Sequence, residues 1–378
     1  MEEKMKKSIK LLSIMMALLM VMSMVAACGS NEAPAEEPAE EPAAEESALG
    51  APEVTTVKWN SGTSKNVLIT IANEKGYFAD EGITIEEVPA DENNSAMALL
   101  ASGKVDVVSN AGTSNPLDQI SQGVDLTIFG GHMVQGAMPI IAQKGTEWHG
   151  VEDFIGKKVV ANTSYFALTG AVMNTGVENP LEAVEWIEGM DYPDALAMVE
   201  RGEADYALQG TGNVQTCKES GTVDIVTWQG DIMPDYSCCR MVAQTDFVKN
   251  NPNTLKHVMV ALLRAQAYYE ANKEEAVKLH AAATEQTEEY VSAFMLDEHY
   301  KVNVDPLEDS VLRAWNILDA TGFFKDKDDS VKIEDHINTA LYKEALDYAE
   351  ATYGSEYPDF FKAQQEFFAS NNTGTAKE

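Results

Sequence analysis

Apolar positions recur along residues 54–250 with two periods, two and about 3.6, and the switches between them mark out elements. Val54–Trp59 reads as a strand. Asn66–Lys75 reads as a helix with Val67, Leu68, Ile71 and Ala72 on one face and Gly76 as its stop. Ile83–Val88 alternates as a strand, Asn94–Ala101 reads as a short helix ended by Gly103, and Val105–Ser109 as a strand followed by the loop Asn110-Ala111-Gly112-Thr113. The order returns about a hundred residues on, with Lys158–Ala161 a strand, Asn162-Thr163-Ser164-Tyr165 a loop, Phe166–Asn174 a helix and Ala183–Ile187 a strand. Pro193–Glu200 is then a helix ended by Gly202, Ala204–Leu208 a strand, and Gln209-Gly210-Thr211-Gly212-Asn213 a loop. ALLASGKVDVVSNAGTSN, from Ala98, and LAMVERGEADYALQGTGN, from Leu196, share one form: helix, Gly, two residues, Asp, apolar strand, Gly-Thr loop.

Two β-loop-α-β-α-β repeats predict an α/β protein of two parallel-sheet lobes. Such sheets bind ligands beyond the carboxyl ends of their strands, so the two sets of loops would face a shared cleft. Met138–Gln143 and Cys239–Gln244 read as the crossing hinge strands between lobes. Beyond residue 250 the period is helical, over Thr254–Ala271, Glu274–Ala283, Glu288–Leu296, Leu307–Thr321 and Thr339–Thr352. These would clad the first lobe, giving lobe one as 54–140 plus 241–378 and lobe two as 141–240.

The N-terminus has another character. Lys4, Lys6, Lys7 and Lys10 precede the apolar run LLSIMMALLMVMSMVAA at 11–27, which reads as an export signal. Val25-Ala26-Ala27-Cys28-Gly29-Ser30 resembles the lipobox of bacterial lipoproteins, implying cleavage after residue 27 and lipid on Cys28, hence a chain tethered to the outer face of the cytoplasmic membrane. Residues 31–53 hold Ala, Pro, Glu and a few small residues, so 28–53 reads as an extended acidic leash.

Of the 378 residues, 45% are hydrophobic and 23% charged, and 61 acids against 27 bases give a net charge of −34. Residues 1–53 carry 10 acids and 4 bases, which leaves −28 on the remainder. That balance excludes nucleic-acid binding, which needs Lys and Arg for phosphates, and leaves the lipid anchor as the only expected contact with membrane. The histidines at 132, 149, 257, 280, 299 and 336 are scattered, and with Cys217, Cys238 and Cys239 they form no zinc spacing, so no metal and no cofactor are expected. A bridge from Cys217 to Cys238 or Cys239 is open, with one cysteine left over.

Lys75-Gly76-Tyr77-Phe78, with Glu81-Gly82-Ile83-Thr84-Ile85-Glu86, resembles a stretch of the solute-binding proteins of ABC importers of the nitrate, sulfonate and taurine type, whose close relatives bind pyrimidine-type thiamine precursors. Gly103-Lys104-Val105-Asp106, Phe154 to Val159, Gly202-Glu203-Ala204-Asp205, and Phe247 to Pro252 with Leu263-Arg264-Ala265 follow in the family's order. The resemblance spans about residues 55–325. It implies a two-lobed type II periplasmic-binding-protein fold that closes on a small polar or anionic metabolite, and a membrane permease with its ATPase as partners. It implies a non-enzymatic receptor acting as a monomer. The alternatives are a pyrimidine or aromatic ligand on the same scaffold, or a surface sensor without transport.

Candidate ligand contacts are the loops at strand ends: Ser61, Thr63 and Ser64; Gly112, Thr113 and Ser114; Thr163, Ser164 and Tyr165; and Gln209, Thr211 and Asn213. Each offers a hydroxyl, an amide or a free N–H where a helix begins, the same groups that serve as helix caps. Trp59, Tyr165, Phe166, Trp228 and Tyr236 lie near these loops and could stack on a planar ligand, and Arg240 could pair with an anion or with one of the many acids.

Overall fold

The computed structural model describes residues 48–62, 65–90 and 95–377. The export signal, Cys28, the greater part of the leash, Thr63 and Ser64 lie outside the described residues. Twelve strands are formed among them: β1 (Thr56–Asn60), β2 (Thr84–Glu87), β3 (Val107–Val108), β4 (Leu126–Gly131), β5 (Met133–Gly136), β6 (Pro139–Gln143), β7 (Lys158–Val160), β8 (Glu185–Ile187), β9 (Tyr206–Leu208), β10 (Val223–Trp228), β11 (Arg240–Gln244) and β12 (Tyr300–Val302).

The sequence repeat is a repeat of topology. One sheet has the order β2-β1-β3-β11-β4, the other β8-β7-β9-β6-β10. In each, three parallel strands from one repeat are followed by an antiparallel strand that arrives from the other half of the chain. The shared Gly and Asp have matching jobs. Gly103 and Gly202 take left-handed φ of 67° and 71° directly after a helix, a conformation that favours glycine. The Asp106 carboxylate then accepts from the Lys58 amide at 2.8 Å, and Asp205 from the Lys158 amide at 2.9 Å. Each Asp thus ties its own strand's start to the neighbouring strand.

Strand residues alternate between faces, and both faces of each sheet are covered. Val57, Trp59, Val107 and Met241 pack under the helix Pro252–Ala271, whereas Val108, Ile128 and Val242 pack under Ser114–Ser121 and Glu308–Ala320. In the second sheet Ile140, Val159 and Leu208 face Phe166–Asn174, and Ile141, Val160 and Ala207 face Tyr192–Glu200. Two-sided burial explains the near-continuous apolar runs of these short strands. The helix Pro358–Asn371 and the β5–β12 pair were not visible in the sequence pattern.

The crossings fall just before the strands expected to make them. The outgoing chain leaves β5 through Ala137, at φ 45°, and the returning chain passes Asp235 and Ser237, at φ 47° and 62°. The amides of Cys238 and Cys239 donate to the carbonyls of Val134 and Met133, both at 3.1 Å, so the two crossings run hydrogen-bonded side by side. Residues 48–53, expected to belong to the leash, are instead part of the fold. Leu49 is buried, and the Glu53 carboxylate caps the helix at Pro252 by accepting from the amides of Asn253 and Thr254.

Candidate functional site

A cavity of about 580 Å³ lies where strand ends of both sheets meet the crossing segments. From the first sheet it takes Asn110 to Asn115, the loop after β3 and the start of the helix Ser114–Ser121. From the second it takes Asn162, Ser164, Tyr165 and Phe166 after β7, Tyr192 at the head of its helix, and Gly210 to Asn213 after β9. Met133, Met138, Gln229, Tyr236, Cys238 and Cys239 form its hinge side, and Tyr290 reaches in from the helix Glu288–Met295.

Of the expected contacts, Gly112, Thr113, Ser114, Ser164, Tyr165, Thr211 and Asn213 are brought together here. Ser61, Thr163 and Gln209 are not. Ser61 is buried and donates to Glu87 Oε1 at 2.5 Å; Thr163 gives both its amide and its hydroxyl to Glu188, at 2.6 and 2.7 Å; Gln209 is buried and donates to the Tyr192 carbonyl at 3.1 Å. Local acceptors absorb these polar groups, as capping residues do. Several lining residues also bond to neighbouring segments: Ser114 Oγ donates across the cleft to the Ser164 carbonyl at 2.5 Å, while the hydroxyls of Thr113 and Thr211 donate to the carbonyls of Ser237 and Gly136.

Among the aromatics, Tyr165, Phe166 and Tyr236 line the cavity. Trp59 does not: it is wholly buried and its indole N–H donates to Ser109 Oγ at 2.9 Å. Trp228 stacks on His299 at 4.5 Å. Arg240 is also absent from the cavity lining and, among the described residues, pairs with no carboxylate. Its guanidinium donates to the carbonyls of Asp305 and Met133, at 2.6 and 2.7 Å, and burial lowers its pKa to about 10.

Two residues missed by sequence reasoning lie at a distance along the chain. Tyr192 and Tyr290 open helices far from the repeated loops, and Tyr165 and Tyr192 meet hydroxyl to hydroxyl at 3.1 Å. Gly210 allows this: a Cβ there would lie 2.5 Å from the Tyr192 ring. Burial, foremost, and the neighbouring Tyr192 push the Tyr165 phenol well above its ordinary range, so it stays protonated and a donor. Asn110 and Asn162 lay in the predicted loops and Asn115 just past one, but their side-chain amides were passed over for hydroxyls.

The electrostatic character of the wall follows from its composition. No Lys, Arg, His, Asp or Glu is among the described residues that line the cavity. Its polar groups are amides, hydroxyls and backbone N–H groups, set among tyrosine, phenylalanine and methionine.

Residues 64–276 match the family model described as NMT1/THI5 like. The chain belongs to this family. No curated protein matches it. Its fold is that of solved periplasmic binding proteins. The aliphatic sulphonate binding protein SsuA from Escherichia coli superposes with a TM-score of 0.63 at 15% identity, over 76% of this chain and 92% of that one. The nitrate-binding protein NrtA from Synechocystis PCC 6803 gives 0.62 at 18% identity, over 82% and 92%. The desulfurization enzyme DSZB gives 0.55 at 13%, over 78% and 99%. The NMT1/THI5-like chain is therefore two-lobed, with its cavity where strand ends of both sheets meet the two crossing segments.

Proposed function

We propose that this protein is an extracytoplasmic solute receptor of an ABC importer, tethered through lipid on Cys28, which captures one small molecule by closure of its lobes. The family, the fold and the position of the cavity at facing strand ends support this reading. Ligand favours closure only by contacting both lobes, and residues of both line the cavity. Among the described residues the wall has neither carboxylate nor imidazole for acid–base work, which favours capture over turnover.

The uncharged wall carries the choice of ligand. A fully charged solute loses hydration on entry and finds no counter-charge there. Tyr165, Tyr192, Tyr236, Tyr290 and Phe166 instead suit a planar, uncharged aromatic or heteroaromatic ring, with Asn, Ser and Thr for its polar edge. The expected sulfonate- or nitrate-like anion is the second reading. It is favoured by the helices Ser114–Ser121 and Phe166–Asn174, which both begin at the cavity and direct N–H groups there.

Thermal unfolding of the protein with a panel of pyrimidines, uncharged aromatics, sulfonates and nitrate separates the two. A ligand at 100 times its Kd adds about 2.7 kcal/mol, a shift of several degrees. Stabilisation by the ring compounds alone is the expected result. Stabilisation by the anions alone transfers the assignment to the second reading, and unchanged uptake of the stabilising ligand in a deletion strain overturns the transport role.

A further inference from the structure

Cys238 and Cys239 are consecutive, both line the cavity, and their sulfurs lie 3.6 Å apart. Both are free thiols, as is Cys217. They also sit on the returning crossing, where their amides hold the carbonyls of Val134 and Met133 on the outgoing one. A reactive pair thus occupies the ligand wall and the hinge at once. We propose that Cys238 and Cys239 form a reversible covalent site that reacts with small disulfides and, by closing a ring between neighbouring residues, loosens the hinge and weakens ligand capture.

The chemistry balances with one co-reactant. The Cys238 thiolate attacks one sulfur of the small disulfide and expels a thiolate, leaving a mixed disulfide on Cys238. The Cys239 thiol gives up its proton and attacks the Cys238 sulfur, expelling the second thiolate. The protein has lost two thiol hydrogens and gained one S–S bond, and the small disulfide has become two thiols. The surroundings divide the roles in this order. Cys239 donates toward Cys238, the largest influence on the Cys238 thiol and one that lowers its pKa against the opposing effect of burial; the Tyr236 hydroxyl and the Arg240 charge add to the lowering. The Cys239 thiol is held well above its ordinary range, by its bond to Cys238 first and then by burial. Asn110 Oδ1, 3.1 Å from the Cys239 sulfur, is the alternative acceptor for its single S–H, a contact to the first-sheet loop that oxidation removes.

Geometry makes the bond labile. A relaxed disulfide wants Cα atoms about 4.4–6.8 Å apart, whereas consecutive residues are about 3.8 Å apart. Strained bridges are readily reduced and serve as switches more than as struts. Closing this ring twists the backbone whose amides bind Val134 and Met133. Cys217 offers a contrast in the same chain: it is buried under the second sheet, off the cavity, and burial raises its pKa to about 12.

The effect on capture rests on the receptor reading; ring formation does not. The full-length protein is equilibrated with graded ratios of oxidised to reduced glutathione, alkylated in denaturant and digested with trypsin. Cleavage after Lys218 and Arg240 isolates residues 219–240 with Cys238 and Cys239 and leaves Cys217 on the preceding peptide. The expected result is a 219–240 peptide lighter by two hydrogens and free of alkyl groups, restored by reduction, with the Cys217 peptide alkylated throughout. Cys239→Ser should trap a glutathione adduct on Cys238. Two free thiols under fully oxidising glutathione, or a stable adduct in the unsubstituted protein, overturns the ring. Amide hydrogen exchange then tests the hinge: oxidation should speed exchange at Cys238 and Cys239 about tenfold while the helix Pro252–Ala271 is unchanged. Unaltered exchange at those two amides overturns the coupling to the hinge, whatever the ligand panel shows.

Discussion

His257 shows how much one buried polar residue decides. Its Nδ1 donates to Glu81 Oε2 at 2.6 Å and its Nε2 to the Gly50 carbonyl at 2.9 Å, while Tyr353 OH donates to the other Glu81 oxygen at 2.8 Å. A carboxylate and a carbonyl accept, so the doubly protonated imidazole is the form that satisfies both partners. Burial alone would lower its pKa; the hydrogen bonds to Glu81 and Gly50, together with the Glu81 charge, outweigh burial and raise it. The raised folded pKa means that this contribution is complete below the unfolded value, near 6.5, and is lost as pH rises through the folded value. Urea denaturation should therefore show stability falling from about pH 6 upward, and His257→Gln should flatten that part of the profile. A parallel slope in the variant would assign it elsewhere. At this scale the sequence is readable only where a residue's partners are local. Gly103 and Asp106, within one turn and strand, were legible as a motif. The environment of His257, and the diversion of Ser61 to Glu87 and Thr163 to Glu188, depend on residues brought in by the fold.

Elements were legible where loop residues bounded an apolar run. Phe166–Asn174 appears with the boundaries expected, and Glu288–Met295 within one residue, its N-cap Thr287 accepting from the Tyr290 amide. What elements pack against was not legible. Gly170, midway along Phe166–Asn174, looks like a helix weakness worth about 1 kcal/mol relative to alanine. In the fold it is a point of close approach to another helix: a Cβ there would lie 2.7 Å from Ile317 Cδ1 on Glu308–Ala320. Gly170→Ala should accordingly destabilise, by about 1–3 kcal/mol through overpacking, despite the gain in helix propensity. Adding Ile317→Ala should recover most of the loss beyond its own cavity cost, a coupling of about 1 kcal/mol in a thermal-unfolding double-mutant cycle. A stabilised single variant would show that the two helices do not meet at this point in solution.

For the whole molecule, residues 54–378 carry a net charge of −28 around a cavity whose described lining has no charged side chain. Screening tests whether that separation matters. Exposed charges lose reach as the Debye length falls from about 10 Å at 0.1 M salt to about 3 Å at 1 M. An uncharged ligand should bind with an affinity that changes less than about twofold across that range. An anionic ligand, repelled by the acidic surface, should bind more tightly as salt rises, and calorimetry at the two salt concentrations distinguishes them. The sequence by itself determined the α/β repeat, the crossing of the chain near residues 140 and 240, and the loops at the strand ends, because apolar periodicity, glycine stops and capping residues act over a few neighbours. Only the tertiary structure decided which of those loops share a wall, that Tyr192, Tyr290 and the vicinal cysteines join them, and that Arg240 stays out. Those outcomes depend on contacts between residues far apart in the chain, where packing and the satisfaction of buried polar groups prevail over local preference.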